Sequence, residues 1–375
     1  MFVQQRLAAL AERVELQVAA PVPSFPVLSH FRAWPGPAVE PWQGLKVHRP
    51  RFFCVPGLFK NHDGRLYARG LRTWLARLVE TWSPDVLDAH FVWPDGVGVS
   101  LLARQLGLPY AITLRGKLYP CLKVTSQTRQ CAEALAGAGA VLCVSSHLAE
   151  TARRLGAASD RVFVIPNGVD REHFHPRDKA EARRRLGLPA DGRLLVTVAH
   201  LGPRKGHREA IRALASLPNN VRLVLVGGPG LGGGGGDLTA LADSLGLHRR
   251  VIIAGRQPYE KVPLYFCAAD ASVLASYREG CPNVVVESLA CGTPVVASDV
   301  GAVADLIAPG VNGRIVPARQ VGPLAEAIRD VLDTTWSPEA VSNSPSVQTW
   351  ADVAERVHAV LARVAGTPRA AQPEM

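Results

Sequence analysis

Residues 276–298 read SYREGCPNVVVESLACGTPVVAS, and the punctuation of this stretch decides the fold. An apolar run ends near Ser276, a loop holds Glu279, Gly280, Pro282 and Asn283, and a helix begins at about Val284 with Glu287 one turn in. A second apolar run, TPVVAS, follows. Strand, loop, helix, strand is the rhythm of a parallel sheet, and ligands in such sheets bind outside the carboxyl ends of the strands. Both acids therefore fall where a ligand would sit.

The start of that helix offers unpaired N–H groups and the positive end of a dipole, which suits a phosphate. Glu279 before it and Glu287 within it can accept hydrogen bonds from hydroxyls on either side. A sugar, a diphosphate and a ribose in a row would fill such a site. The plainer alternative makes Glu279 a solvated loop acid and Asn283 an ordinary helix cap, with Glu287 bonded inside the first turn. The coincidence of the loop, the helix start and both acids favours the ligand.

Upstream, VTVAHLGPRKGH places Arg204 and Lys205 between a strand end and a helix start. Arginine can grip two phosphate oxygens while lysine supplies a point charge, so the pair suits a leaving diphosphate without a metal. No Asp-x-Asp pair occurs in the chain, and no metal site is expected. The run GGPGLGGGGGDL lacks the Lys-Ser/Thr of a phosphate-binding loop and reads as a flexible connection.

The same rhythm extends in both directions. RLLVTVAH, VRLVLVGG, RVIIAG, ASVLAS, TPVVAS and GRIVP are strands of one sheet, and PDVLDAH, PYAITLRG, GAVLCVSS and RVFVIPNG are strands of another. A charged segment from Asp170 to Arg185, with Pro176 in it, reads as a linker that runs into a short helix. Two domains are expected, 1–170 and 171–342, then a helix over 346–365 that crosses back to the first, and a disordered tail over 366–375. At the start, Phe2, Val3, Leu7, Leu10 and Val14 recur at helical spacing, and ELQVAAPVP reads as a buried strand.

Of the 375 residues, 42 are Lys or Arg and 32 Asp or Glu, a formal charge of +10 that favours anionic partners. Phosphorylated small molecules and an anionic membrane face rank ahead of nucleic acid, for which no motif is present. No apolar run reaches the ~18 residues of a membrane span, and Glu12, Arg13 and Glu15 break the opening run before it could serve as a signal peptide. A cytoplasmic protein is expected, with contact at the inner face of the membrane an option. The seven cysteines form no C-x-x-C pair and read as reduced, structural thiols.

GPRKG, REGCPNVVVESLACGTPVVAS and the IPNGVD between the lobes together resemble the retaining nucleotide-sugar glycosyltransferases of family 4 over nearly the whole chain. DAHFVWPDG and TLRG resemble the bacterial cell-envelope polysaccharide, teichuronic-acid-like type. The resemblance implies an α/β protein of the GT-B fold, two Rossmann-like doubly wound domains facing a cleft. It implies transfer of a sugar from a nucleotide diphosphate to a hydroxyl of a glycan or lipid-linked acceptor. The donor is a co-substrate, and no cofactor is required.

Residue by residue, the resemblance puts Arg204 and Lys205 on the diphosphate, Glu279 on the donor sugar, and Asn283, Val284 and Val285 on phosphate and sugar. Glu287 falls on the ribose and Gly228 on the donor side. His90 matches a histidine facing the reaction centre, and Arg115, Gly116 and Asn167 are acceptor-side candidates. The Gly-rich run departs from the family's shorter, more polar stretch, and KLYP after TLRG replaces a polar-Asp pair. Family members open with a strand and a Gly-rich loop ahead of the helix that here starts at Phe2, so the first strand is expected to be missing. Two rivals remain at this point: a sugar-nucleotide epimerase or hydrolase on the same fold, and a truncated, non-catalytic nucleotide-sugar binder.

Overall fold

The computed structural model describes residues 2–25, 37–55, 57–116, 118–230 and 235–366. The expected tail beyond Gly366, Lys117 of KLYP and the centre of the Gly-rich run lie outside them. The chain divides into two compact units, one of Met1–Asn167 with Trp350–Met375 and one of Gly168–Thr349.

The second unit is a six-stranded parallel sheet built from β10 (Arg193–Val198), β11 (Val221–Val226), β12 (Val251–Gly255), β13 (Ala271–Leu274), β14 (Val295–Ser298) and β15 (Gly313–Val316). Their spatial order is β12-β11-β10-β13-β14-β15. Alternate strand residues enter opposite cores, as the two-residue period of a strand requires. Leu194, Val196, Val224 and Val295 belong to one cluster, while Leu195, Leu223, Leu225 and Val296 belong to the other. Both faces of the sheet are thereby covered, which is why its strands read as unbroken apolar runs. The order reverses at the β10–β13 pair, so the loops after these two strands border the crevice where ligands bind in such sheets.

The segment expected to be a linker running into a short helix does hold that helix, Lys179–Leu186, but the stretch before it is packed into this unit and not solvated. Phe174 is fully buried, His173 stacks on Tyr259 with ring centroids 4.7 Å apart, and Asp178 caps the helix Lys179–Leu186. Buried Arg183 donates to Asp270 at 2.8 Å and to the Ala268 carbonyl at 2.9 Å. The segment's charge pattern imitates a solvated connection, but Arg183 finds internal acceptors.

In the first unit β6 (Leu87–His90), β7 (Tyr110–Leu114), β8 (Ala140–Cys143) and β9 (Val162–Val164) form a parallel sheet in that order. The helices Phe2–Ala11 and Trp350–Ala365 share one core with it, in which Leu10, Ala111, Leu142, Trp350, Val353 and Val357 meet. Three short strands, β1 (Gln17–Ala19), β4 (Leu45–His48) and β3 (Val39–Trp42), make a separate sheet, and β2 (Val22–Ser24) pairs with β5 (Arg51–Phe53). ELQVAAPVP is therefore not one buried strand. Pro21 and Pro23 remove backbone donors, and the run splits into two half-buried three-residue strands in different sheets. The opening helix also departs from its apolar pattern: Phe2 is exposed and Arg6 is buried with Leu10.

Candidate active site

In the second unit, three loops at the carboxyl ends of the strands are fastened to one another. Between β10 and the helix His207–Ala215, Pro203–Lys205 forms a single 3-10 turn that ends at Gly206, with φ +67°. A Cβ on Gly206 would fall 1.9 Å from the Ala275 carbonyl oxygen, so only glycine allows this turn to reach the end of β13. The Tyr277 N–H donates to the Arg204 carbonyl at 2.9 Å, which closes the first two loops together. The third loop, after β14, presses Gly301 (φ +61°) against the Glu279 and Gly280 carbonyls, and the Ala302 N–H donates to Gly280 at 2.9 Å.

These contacts bring most of the expected donor-side residues into one place. Lys205 Nζ donates to Glu279 Oε1 at 2.6 Å. The loop after β11 joins them, because the Leu201 N–H donates to the Gly228 carbonyl at 2.9 Å and Gly230 abuts Gly202. Arg256, after β12, stands beside Gly228 and adds a cation that no motif had singled out. The glycines and the cation are legible only in three dimensions, since each sits far along the chain from the residue it touches.

Asn283, Val284 and Val285 form the first turn of the helix Asn283–Ala290, and Pro282 rather than Asn283 occupies the capping position. Asn283 is thus not the ordinary cap of the plainer alternative. Glu287 follows on the same helix, 8% exposed, its carboxyl with no hydrogen-bond or ion-pair partner among the described residues. Burial pushes its carboxyl up to about 7. An unpartnered buried acid is costly to the free protein and well suited to accept hydroxyl donors.

In the first unit, His90 ends β6 and Arg115 follows β7. Arg115 Nη1 donates to Asn167 Oδ1 at 2.9 Å, so these two acceptor-side candidates are coupled, with Gly116 adjoining in the chain. His90 Nε2 lies 3.3 Å from Asp88 Oδ2. Asp88 also accepts from Thr113 at 3.0 Å and from Arg6 at 2.9 Å. Burial works to raise the Asp88 carboxyl, and Arg6, His90 and Thr113 outweigh it, holding the group well below the usual carboxylate range. Burial lowers His90, Asp88 opposes that, and Arg6 and Arg115 add to the lowering, so the ring is neutral at pH 7. Immediately after His90, Phe91 holds φ +76°, strained for a residue with a side chain, and Gly96 fits against its carbonyl. Arg6 and Asp88 are neighbours of His90 that sequence reasoning missed: a charged residue on a helix such as Arg6 carries no mark of burial, and nothing near Asp88 in the sequence points to Arg6.

Residues 3–173 match the model described as Glycosyltransferase Family 4, and residues 178–344 match Glycosyl transferases group 1. The chain is 34% identical over 314 residues to TuaC of Bacillus subtilis, named for teichuronic acid biosynthesis, covering 82% of this chain and 76% of that one. The chain belongs to glycosyltransferase family 4. A D-inositol 3-phosphate glycosyltransferase of Acidothermus cellulolyticus is 33% identical, with 68% of this chain and 61% of that one aligned. The Mycobacterium tuberculosis protein of the same name is 40% identical over 180 residues, which span 47% of this chain and 37% of its own length.

Solved structures place the family-4 chain in the GT-B fold. Sucrose-phosphate synthase of Thermosynechococcus elongatus superposes with a TM-score of 0.77 at 22% identity, covering 97% of this chain and 92% of that one. Anabaena HepE in complex with UDP superposes with a TM-score of 0.76 at 22% identity, covering 95% of each. Among the described residues, no helix is long and apolar enough to cross a membrane, and no group of three or more His, Cys, Asp or Glu could hold a metal ion.

Proposed function

We propose that this glycosyltransferase is a retaining, metal-independent enzyme that moves a sugar from a nucleotide diphosphate to a hydroxyl of an envelope polysaccharide or a lipid-linked acceptor. The observation that carries the proposal is the fastening of the Arg204–Lys205 turn to the Glu279–Gly280 loop through Gly206, Tyr277 and Gly301. This holds the backbone of two cationic residues against the loop that leads into the helix start before any ligand arrives, so their charges turn onto a diphosphate without movement of the chain. Negative charge grows on the diphosphate as its bond to the sugar breaks, so these groups act most strongly in the transition state. Glu287 would receive the ribose hydroxyls, and Asn283 with the N–H groups of Val284 and Val285 would face phosphate and sugar. The complexes of Anabaena HepE with UDP and with UDP-glucose, and the name of TuaC, support the donor and acceptor classes.

The test incubates the protein with a panel of nucleotide sugars and a glycan acceptor in EDTA, and reads the anomeric configuration of the product by NMR. Transfer with the donor's own configuration is expected. Inverted product, free or epimerised sugar alone, or activity abolished by EDTA and restored by Mn²⁺ would overturn the proposal.

A further inference from the structure

Seven large apolar side chains are exposed among the described residues, and three of them, Phe53, Leu58 and Phe59, lie on one short stretch of the first unit. Leu58 is 62% and Phe59 65% exposed. Gly57 at φ +77° and Phe59 at φ +53° turn the chain tightly and hold these two residues at its outer edge. Strand β5 alternates, sending Phe52 inward onto the Tyr67 ring at 5.2 Å and leaving Arg51 and Phe53 outside. The helix Asp63–Trp82 lies directly beneath, because a Cβ on Gly70 would fall 2.6 Å from the Phe52 Cβ.

That helix carries Arg65, Arg69 and Arg72 at i, i+4 and i+7, one solvent face. Arg51, Arg65, Arg69 and Arg72 are exposed, and none of their side chains makes an ion pair or hydrogen bond among the described residues. Asp63 and Glu80 are the helix's acids, and Asp63 is buried and paired with Lys60 at 3.3 Å. The first unit as a whole holds 22 Lys and Arg against 14 Asp and Glu, +8 of the chain's +10. An apolar tip that leads directly into a helix of unneutralised arginines has the chemistry of a surface that meets anionic headgroups with its charge and acyl chains with its tip.

We propose that Phe53, Leu58 and Phe59, with the stripe Arg65, Arg69 and Arg72, form a docking surface for an anionic phospholipid bilayer. The inference rests on the proposed transfer to a lipid-linked acceptor and deepens it, since such an acceptor is presented at a bilayer.

The full chain is centrifuged with vesicles of phosphatidylglycerol and phosphatidylcholine, and with phosphatidylcholine alone, in the absence of donor and acceptor. The protein is expected to sediment with the anionic vesicles only and to be released by high salt. Arg65→Gln/Arg69→Gln/Arg72→Gln should lower partitioning on the order of a hundredfold, at about one elementary contact per arginine, and Leu58→Ser/Phe59→Ser roughly tenfold or more. Transfer to a water-soluble acceptor should be unchanged in both variants. Unaltered partitioning in either variant, no wild-type binding to anionic vesicles, or an apolar-tip variant that changes only self-association by light scattering would overturn the surface. Vesicle binding without any sugar transfer would instead count against the proposed function and leave the surface standing.

Discussion

Lys205 donates to Glu279 at 2.6 Å across 74 residues of chain, joining the basic turn after β10 to the acidic loop after β13. Each side chain is the other's counter-ion in the free protein. A diphosphate would compete with Glu279 for Lys205, so donor arrival exchanges one ionic partner for another and releases the carboxylate towards hydroxyls.

Arg204→Ala/Lys205→Ala should therefore lower kcat/KM through loss of charge-assisted bonds, each about 1.5–3 kcal/mol, a factor of roughly ten to a hundred or more. The larger share should fall on kcat. Steady-state constants equal to wild type would remove the pair from the chemistry.

Glu287 links donor binding to pH. A glutamate in the unfolded chain titrates near 4.5, while burial pushes the folded group up to about 7. Between those values the folded protein keeps a proton that the unfolded chain has released. Stability thus falls as pH rises through the window, by about 3 kcal/mol for a shift of this size. Glu287→Gln should flatten that slope and melt higher than wild type at pH 8, yet bind the donor more weakly. Matching melting curves from pH 5 to 8 in the two proteins would refute the assignment.

Gly301→Ala tests how tightly the third loop is pressed. At φ +61° the new Cβ would lie 2.4 Å from the Glu279 carbonyl oxygen, so either the Glu279 loop or the Gly301 turn must move. A destabilisation of about 1–3 kcal/mol is expected, together with a fall in kcat. Calorimetry and kinetics that match wild type would show that the loop yields freely.

His90→Ala should reduce turnover by about tenfold, the order of one lost hydrogen bond, with little change in donor affinity. Because burial lowers the ring's pKa and Arg6 and Arg115 reinforce it against Asp88, wild-type kcat at saturating donor, where the protonation of Glu287 no longer limits binding, should stay level as pH falls through 6.5 and decline only below it. An acid limb at or above 6.5 would mean that the ring is charged more readily than its surroundings allow.

The sheet of the second unit was legible because both its faces are buried: runs such as RLLVTV and VRLVLV can hardly be anything but central strands. The Glu279–Glu287 element was legible for a different reason, since loop, helix start and acids all fall within one short stretch. Its counterparts were not. Gly206 and Gly301 look like ordinary turn glycines until the carbonyls they touch are known, and Lys205 shows nothing of Glu279. In the first unit, Arg6 carries the mark of a solvated helix face, and only the convergence of Asp88 and Thr113 explains its burial. Strands of three residues interrupted by proline, such as β2, carry too little pattern to be told from loop.

The helix Trp350–Ala365 supplies Trp350, Val353, Val357, Val360, Leu361 and Val364 to the core of the unit that begins the chain. A ribosome therefore finishes the second unit, which ends at Thr349, while the first still lacks one wall of its interior. The usual order of co-translational folding, amino-terminal domain first, is reversed here in its last step: the half made earliest is the half that closes latest. Until the final turn of that helix emerges, the apolar faces of Leu10, Ala111 and Leu142 wait uncovered, and a nascent chain arrested near Thr349 would present them to chaperones.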